Sequence, residues 1–391
     1  MISVQEALDI IKENAVKSRT ELKLVNESLN YVVAKDLFSP IDMPPFRQSA
    51  MDGYAIQLSD TTAFHQLVGE SAAGNSTKNL ELKTGEAVRV FTGAAVPEGA
   101  NAVIMQEQVL VSGNQISFTK QPSVGQNIRP QGEQITKAEL AYKKGLKITA
   151  AAIGYLAGLG ITEVLVYKKP IINIVVTGNE LVKPGTDLPC GKIYESNSVM
   201  LKAVLQSYGY EVNRVEQVKD DYQQTVDLIK ASLTSSDVLL LSGGISVGDY
   251  DFVGKALAEL DVEQLFYKVK QKPGKPLFFG KTKDKLVFAL PGNPAAALTC
   301  FYMYVLVALD LLSGKQNGGL SNTTTLLKAD FEVRGDRDLL LKGVTDFKTT
   351  EILGMQSSAM LRSFSEANCI VYLTQNSGLI KAGTEVPTYL F

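Results

Sequence analysis

Between residues 170 and 313, apolar runs of strand length alternate with stretches of helical periodicity, and each run stops at a polar turn. The apolar runs are Ile171 to Val176, Asp237 to Leu241 and Leu286 to Leu290, and the more polar stretch Glu211 to Val218 also reads as a strand. The helical stretches are Ser198 to Tyr208, capped by Asn197, then Tyr222 to Leu233, Phe252 to Leu260 and Pro294 to Leu312. A run such as Ile171 to Val176, apolar on both faces, needs helices on each side. The alternation therefore predicts an α/β layered domain with a largely parallel sheet. In such sheets the ligand crevice lies outside the carboxyl ends of the strands.

The turns at that edge are Thr177-Gly178-Asn179-Glu180, Lys219-Asp220-Asp221, the stretch from Ser242 to Asp251, and Pro291-Gly292-Asn293-Pro294. Gly243, Gly244 and Gly248 let backbone N–H groups approach an anion closely, with Ser246 between them. Asn293 is a good N-cap and Pro294 suits the first helical position, so the last turn offers a helix N-terminus. Glu180, Asp220 and Asp251 add acids, which make sense beside a phosphate cradle if Mg²⁺ bridges carboxylates and phosphate oxygens. Each turn alone reads as a plain connection, and Asp251 alone as the cap of the helix starting near Phe252. Four turns and three acids at one edge read as a site. Lys268, Lys272 and Lys275 lie around a Pro-Gly turn, which reads either as a solvated basic edge or as two ammonium groups held towards one oxyanion.

Composition narrows the chemistry. A net charge of −2 over 391 residues offers no counterion-releasing surface for nucleic acid. With one histidine, His65, the sequence argues against a His-rich metal site and a Ser-His-Asp triad, and its polar surroundings place it at the surface. Three well-separated cysteines fit a reducing, cytoplasmic compartment rather than a disulfide scaffold. The chain opens on a capping box, Ser3 to Glu6, rather than a signal peptide, and Ala295 to Leu312, short and interrupted by Thr299 and Asp310, reads as a buried helix. Dinucleotide and P-loop spacings both fail at Gly154–Gly160 and Gly274–Lys281.

Outside the α/β region, residues 1–44 hold the first helix and an extended segment, and 45–140 read as a small β domain. Residues 141–169 hold a helix capped by Thr149 and a strand that pairs with the N-terminal segment, making the β domain an insertion. Residues 320–391 return to short β patterns.

Six motifs, in order, resemble those of the MoeA and gephyrin E-domain family of molybdenumtransferases. They are the stretches 44–55, 91–99, 177–181, 242–248, 272–276 and 290–294. The resemblance spans essentially the whole chain. It implies an elongated homodimer of four-domain subunits, with a three-layer α/β domain that binds molybdopterin. It also implies that molybdate is inserted into adenylated molybdopterin with release of AMP and a requirement for Mg²⁺. Molybdopterin adenylyltransferase and molybdoenzyme apoproteins are candidate partners, with no role for nucleic acid or membrane. Carried over by position, Glu180, Asp220 and Asp251 stand at the pyrophosphate, the first two as metal ligands. Lys272, Lys275 and Pro276 stand at molybdate, and Asp52 and Thr92 come from the other subunit. Two positions depart from the family pattern, Gln134 in place of an acid and Ala296 in place of a hydroxyl. Arg334, Arg337, Lys342 and Ser365 are candidate anion contacts, with surface charge as the plainer reading. Two alternatives fit part of the chain, a molybdopterin adenylyltransferase and a non-catalytic pterin-binding scaffold. The added N-terminal and C-terminal regions weigh against the first, and the intact acids against the second.

Overall fold

The computed structural model describes residues 1–16, 19–58, 63–75, 81–245, 252–375 and 377–391. Its central sheet has the order Val212–Val218, Ile172–Thr177, Val238–Ser242, Lys285–Leu290, Phe278–Thr282 and Glu263–Tyr267. The first four strands run parallel, as the apolar runs predict, and every residue of Ile172–Thr177 and Val238–Ser242 is buried. The last two strands run antiparallel. A two-residue hairpin at Lys283-Asp284 joins Phe278–Thr282 to Lys285–Leu290, and Lys283 takes the positive φ of 54° that such turns need.

Helices Asn197–Ser207, Tyr222–Thr234, Phe252–Glu259 and Pro294–Leu312 cover this sheet. The last is long and apolar enough to cross a membrane, yet 94% of it is buried inside the protein. It is the spine of the largest core cluster, where Val4, Ala7 and Ile11 of the capped N-terminal helix pack against it. A π-helical segment, Phe301–Val305, interrupts it. Its one acid, Asp310, is buried and fully engaged. Asp310 accepts from the Tyr210 hydroxyl at 2.7 Å, Lys315 Nζ at 2.6 Å and Gly319 N at 3.1 Å. Those bonds offset the loss of water around the charge.

Strand Thr20–Leu24 pairs antiparallel with Glu163–Tyr167, beside a helix, Ala150–Gly158, capped by Thr149. Between these pieces in sequence lies a six-stranded sheet that includes Gly53–Ile56, His65–Ser71 and Glu86–Val90. His65 belongs to its interior, contrary to the surface placement read from its polar neighbours. It is 1% exposed, its ring lies 5.5 Å from the Phe118 ring, and among the described residues neither nitrogen has a hydrogen-bond partner. Burial lowers its pKa from the usual histidine value.

The C-terminal module is a closed barrel. Asp338–Thr345 pairs with Thr349–Ile352, and the pairing continues through Ser321–Leu327, Glu385–Leu390 and Cys369–Leu373 back to Asp338–Thr345. Gln271–Lys272 leaves the α/β region to add a short parallel strand to Asp338–Thr345.

Candidate active site

A crevice of about 700 Å³ opens at the carboxyl ends of the parallel strands. Of the residues singled out from sequence, Glu180, Asp220, Gly243, Gly244, Pro276, Pro291, Gly292, Asn293 and Pro294 line it. Ser246, Gly248 and Asp251 lie outside the described residues.

Glycine is required at the third turn for two reasons. Gly243 and Gly244 have φ of 92° and 63°, which disfavours any side chain. A Cβ on Gly243 would also stand 2.6 Å from the Thr177 carbonyl oxygen, and one on Gly244 would stand 2.7 Å from Thr177 Oγ1 and Val253 Cγ2. The turn is thus pressed against the end of Ile172–Thr177. The Thr177 hydroxyl is buried there and has no hydrogen-bond partner among the described residues.

The first two turns latch onto each other. Asn179 N donates to Asp220 Oδ2 at 3.1 Å and Asp220 N donates to Asn179 Oδ1 at 3.2 Å. Lys192 Nζ donates to the Asn179 carbonyl at 2.6 Å, and Ile193 N to that of Glu180 at 2.9 Å. This places Glu180 and Asp220 on one rim.

The last two turns are joined by Asn197, whose amide donates to Ser242 Oγ at 2.9 Å and to the Gly292 carbonyl at 2.8 Å. Asn197 does not cap its helix, as read from sequence, but is its first residue. Capping falls to Glu195, which accepts from Ser198 N at 2.8 Å and Ser198 Oγ at 2.6 Å. A signal was available: Ser196-Asn197-Ser198 is a polar run at the same sheet edge.

Asn293 makes no side-chain cap either. Its Nδ2 donates to Ser358 Oγ at 2.9 Å, and the Ala296 N–H donates to the Ser358 carbonyl at 3.1 Å. Ala359, the next residue, lines the crevice. The C-terminal module therefore builds one wall and occupies part of the helix N-terminus that the sequence offers to an anion. Ala296, where the family pattern has a hydroxyl, is itself buried.

Lys268, Lys272 and Lys275 are not among the crevice-lining residues, although Pro276 is. Lys272 and Lys275 are exposed, and Lys268 Nζ lies 4.6 Å from the centre of the Tyr267 ring. The turn between them is fixed by close packing, because a Cβ on Gly274 would stand 2.5 Å from Cys300 Sγ.

Asp52 and Thr92 meet each other on the inserted sheet, away from the crevice lining. Asp52 Oδ1 accepts from Thr92 N at 2.7 Å and Thr92 Oγ1 at 2.8 Å. The backbone bond, then the hydroxyl, lowers the Asp52 pKa below its usual value. In the C-terminal module Arg334 pairs with Glu332 at the surface, and Ser365 donates to the Arg362 carbonyl. Lys342 is no surface charge: it is 1% exposed.

Models of known families match almost the whole chain. The MoeA N-terminal region (domain I and II) matches residues 2–160, a probable molybdopterin binding domain 173–310, and the MoeA C-terminal region (domain IV) 334–391. A molybdopterin molybdenumtransferase of Haemophilus influenzae is 35% identical, over 99% of this chain and 98% of its own. One from Staphylococcus epidermidis is 30% identical, over 100% of this chain and 95% of its own. The crystal structure of a molybdopterin biosynthesis MoeA protein from Pyrococcus horikoshii superposes with a TM-score of 0.84 at 29% identity, covering both chains fully.

Proposed function

Because the chain belongs to the MoeA family of molybdopterin molybdenumtransferases, we propose that its crevice binds adenylated molybdopterin, splits the pyrophosphate and accepts molybdate. The chain is a transferase of the final, molybdenum-inserting step of molybdenum cofactor biosynthesis. One observation carries the assignment of the step to this crevice. Two carboxylates, Glu180 and Asp220, share it with the Gly243-Gly244 turn and the Pro-Gly-Asn-Pro turn.

The reaction asks for a site that holds an anionic bridge and develops charge on phosphate oxygens, which positioned dipoles and charges stabilise. The glycine turn offers close backbone approach to phosphate. The latched Asn179–Asp220 pair fixes where the acids stand. Mg²⁺ fits the donor set, because the carboxylates of Glu180 and Asp220 are hard oxygen ligands lining one crevice. Mg²⁺ typically takes one or two carboxylates and leaves the rest of its shell to phosphate and water. When bound, Mg²⁺ supplies charge neutralisation at the pyrophosphate. Lys272 and Lys275, exposed beside Pro276, are the cations we assign to the molybdate dianion.

We assign Asp52 and Thr92 to the crevice of a second copy of this chain, since they form a rigid exposed pair away from their own crevice. A cytoplasmic location fits three free cysteines. Neither the adenylyltransferase nor the scaffold reading is favoured, since the relatives named for molybdenum transfer match over the full chain.

The test is AMP release from adenylated molybdopterin with molybdate and Mg²⁺. We expect release that needs all three and Glu180. No release above the protein-free control would overturn the assignment, and adenylation of unmodified molybdopterin by ATP would favour the adenylyltransferase.

A further inference from the structure

Lys342 sits on Asp338–Thr345 with its ammonium inside the protein. Among the described residues it has no ion-pair partner. Instead Nζ donates to the carbonyls of Met355 at 2.9 Å, Met360 at 3.2 Å and Ser357 at 3.5 Å, with the Phe364 ring centre 5.6 Å away. The same segment grips the Lys342 backbone. Lys342 N donates to Gln356 Oε1 at 3.0 Å, and Gln356 Nε2 donates to the Lys342 and Leu353 carbonyls, both at 2.8 Å.

An ammonium inside a protein is costly unless its hydrogen bonds are met, and an apolar side chain of similar length would fill the same space without that cost. What the charge adds is three converging bonds to one stretch that belongs to no regular element. That stretch reaches the crevice twice, through Ala359 in its wall and through Ser358 on Asn293 and Ala296. We propose that Lys342 is a positioning residue for the transferase reaction. Its buried ammonium holds Met355 to Met360 as the crevice's C-terminal wall and, through Ser358, fixes the Pro-Gly-Asn-Pro turn. The proposal rests on the reading of the crevice as the substrate site. Burial lowers the Lys342 pKa from its usual value, in keeping with an ammonium held by carbonyls alone.

The test compares Lys342→Met, Ser358→Ala and the double variant with the parent. Amide exchange at Met360 and Ala296 should quicken at least about tenfold in Lys342→Met while the rest of the barrel stays protected. The KM for adenylated molybdopterin should rise about fivefold with kcat within about twofold, the scale of one lost hydrogen bond. Ser358→Ala should raise KM similarly, and the double variant should be no worse than either alone, because both act through one contact. Additive effects, or unchanged KM in Ser358→Ala, would overturn the proposal, and the latter decides even if Lys342→Met fails to fold. If the parent releases no AMP, the crevice reading fails instead, and unchanged exchange in Lys342→Met would still overturn the holding role.

Discussion

The two halves of the crevice are built differently. The acid rim is a mutual latch between neighbouring turns, Asn179 and Asp220 exchanging bonds through backbone and side chain. The opposite rim is assembled from afar: Asn197 ties Ser242 to Gly292, and Ser358 comes from another module to meet Asn293. The first half sets charge and the second sets shape. Changes on the acid rim should therefore act on rate, and changes opposite should act on affinity and stability.

The largest effect is expected at Asp220→Asn, which keeps an acceptor for Asn179 N while removing the charge. AMP release should fall about a hundredfold, the scale of a lost acid–base or metal-positioning group, with an unchanged melting temperature. A near-parental rate would make Asp220 a latch and nothing more. Lys275→Ala should raise the molybdate concentration for half-maximal rate about tenfold, as for one lost charge-assisted contact. Adenylated-pterin affinity, read by calorimetry, should stay put; an equal loss of both would move Lys275 to the pyrophosphate.

Asn197→Ala tests the assembled half. It leaves Ser242 Oγ and the Gly292 carbonyl without their donor, so urea unfolding should show a loss of about 1–3 kcal/mol and pterin affinity should drop while kcat holds. A selective fall in kcat would erase the division between the halves.

The smallest effect on the fold itself belongs to Asp52, which lies outside the crevice lining of its own chain. Its pKa is lowered on folding by the bonds from Thr92, so the ionised form stabilises the fold above the unfolded-state value of about 4. That contribution is lost as pH falls through the lower folded-state value. The stability advantage of the parent over Asp52→Asn should therefore shrink from pH 6 to pH 3 in denaturant titrations. A constant gap would mean that the Thr92 bonds do not depend on the charge.

The acid half was the more legible from sequence. Strand ends, glycines and acids stand next to one another in the chain, so Glu180, Asp220 and Gly243 could be read together. Asn293 and Ser358 are 65 residues apart, and no local pattern announces their meeting. Asn197 was misread because Asn before a helical stretch is a common cap. His65 and Lys342 were misplaced because a polar residue on the inward face of a strand leaves the same local signature as one on the outward face. The alternation rule did not give the antiparallel side of the sheet, because Phe278–Thr282 turns back to Lys285–Leu290 through a two-residue hairpin rather than a helix.

The Gln271–Lys272 strand bears on how far this chain can be divided. It borrows the edge of a barrel that begins some fifty residues later, while the barrel returns Ser358 to the crevice. Exchange is reciprocal, so the parts are not interchangeable cassettes. Cutting between Leu312 and Ser321 would strip the α/β region of a wall and leave an unpaired strand edge on each fragment, a template for association with other chains. A graft that carries the α/β region into another scaffold must bring the barrel, or a substitute for its edge, along with it.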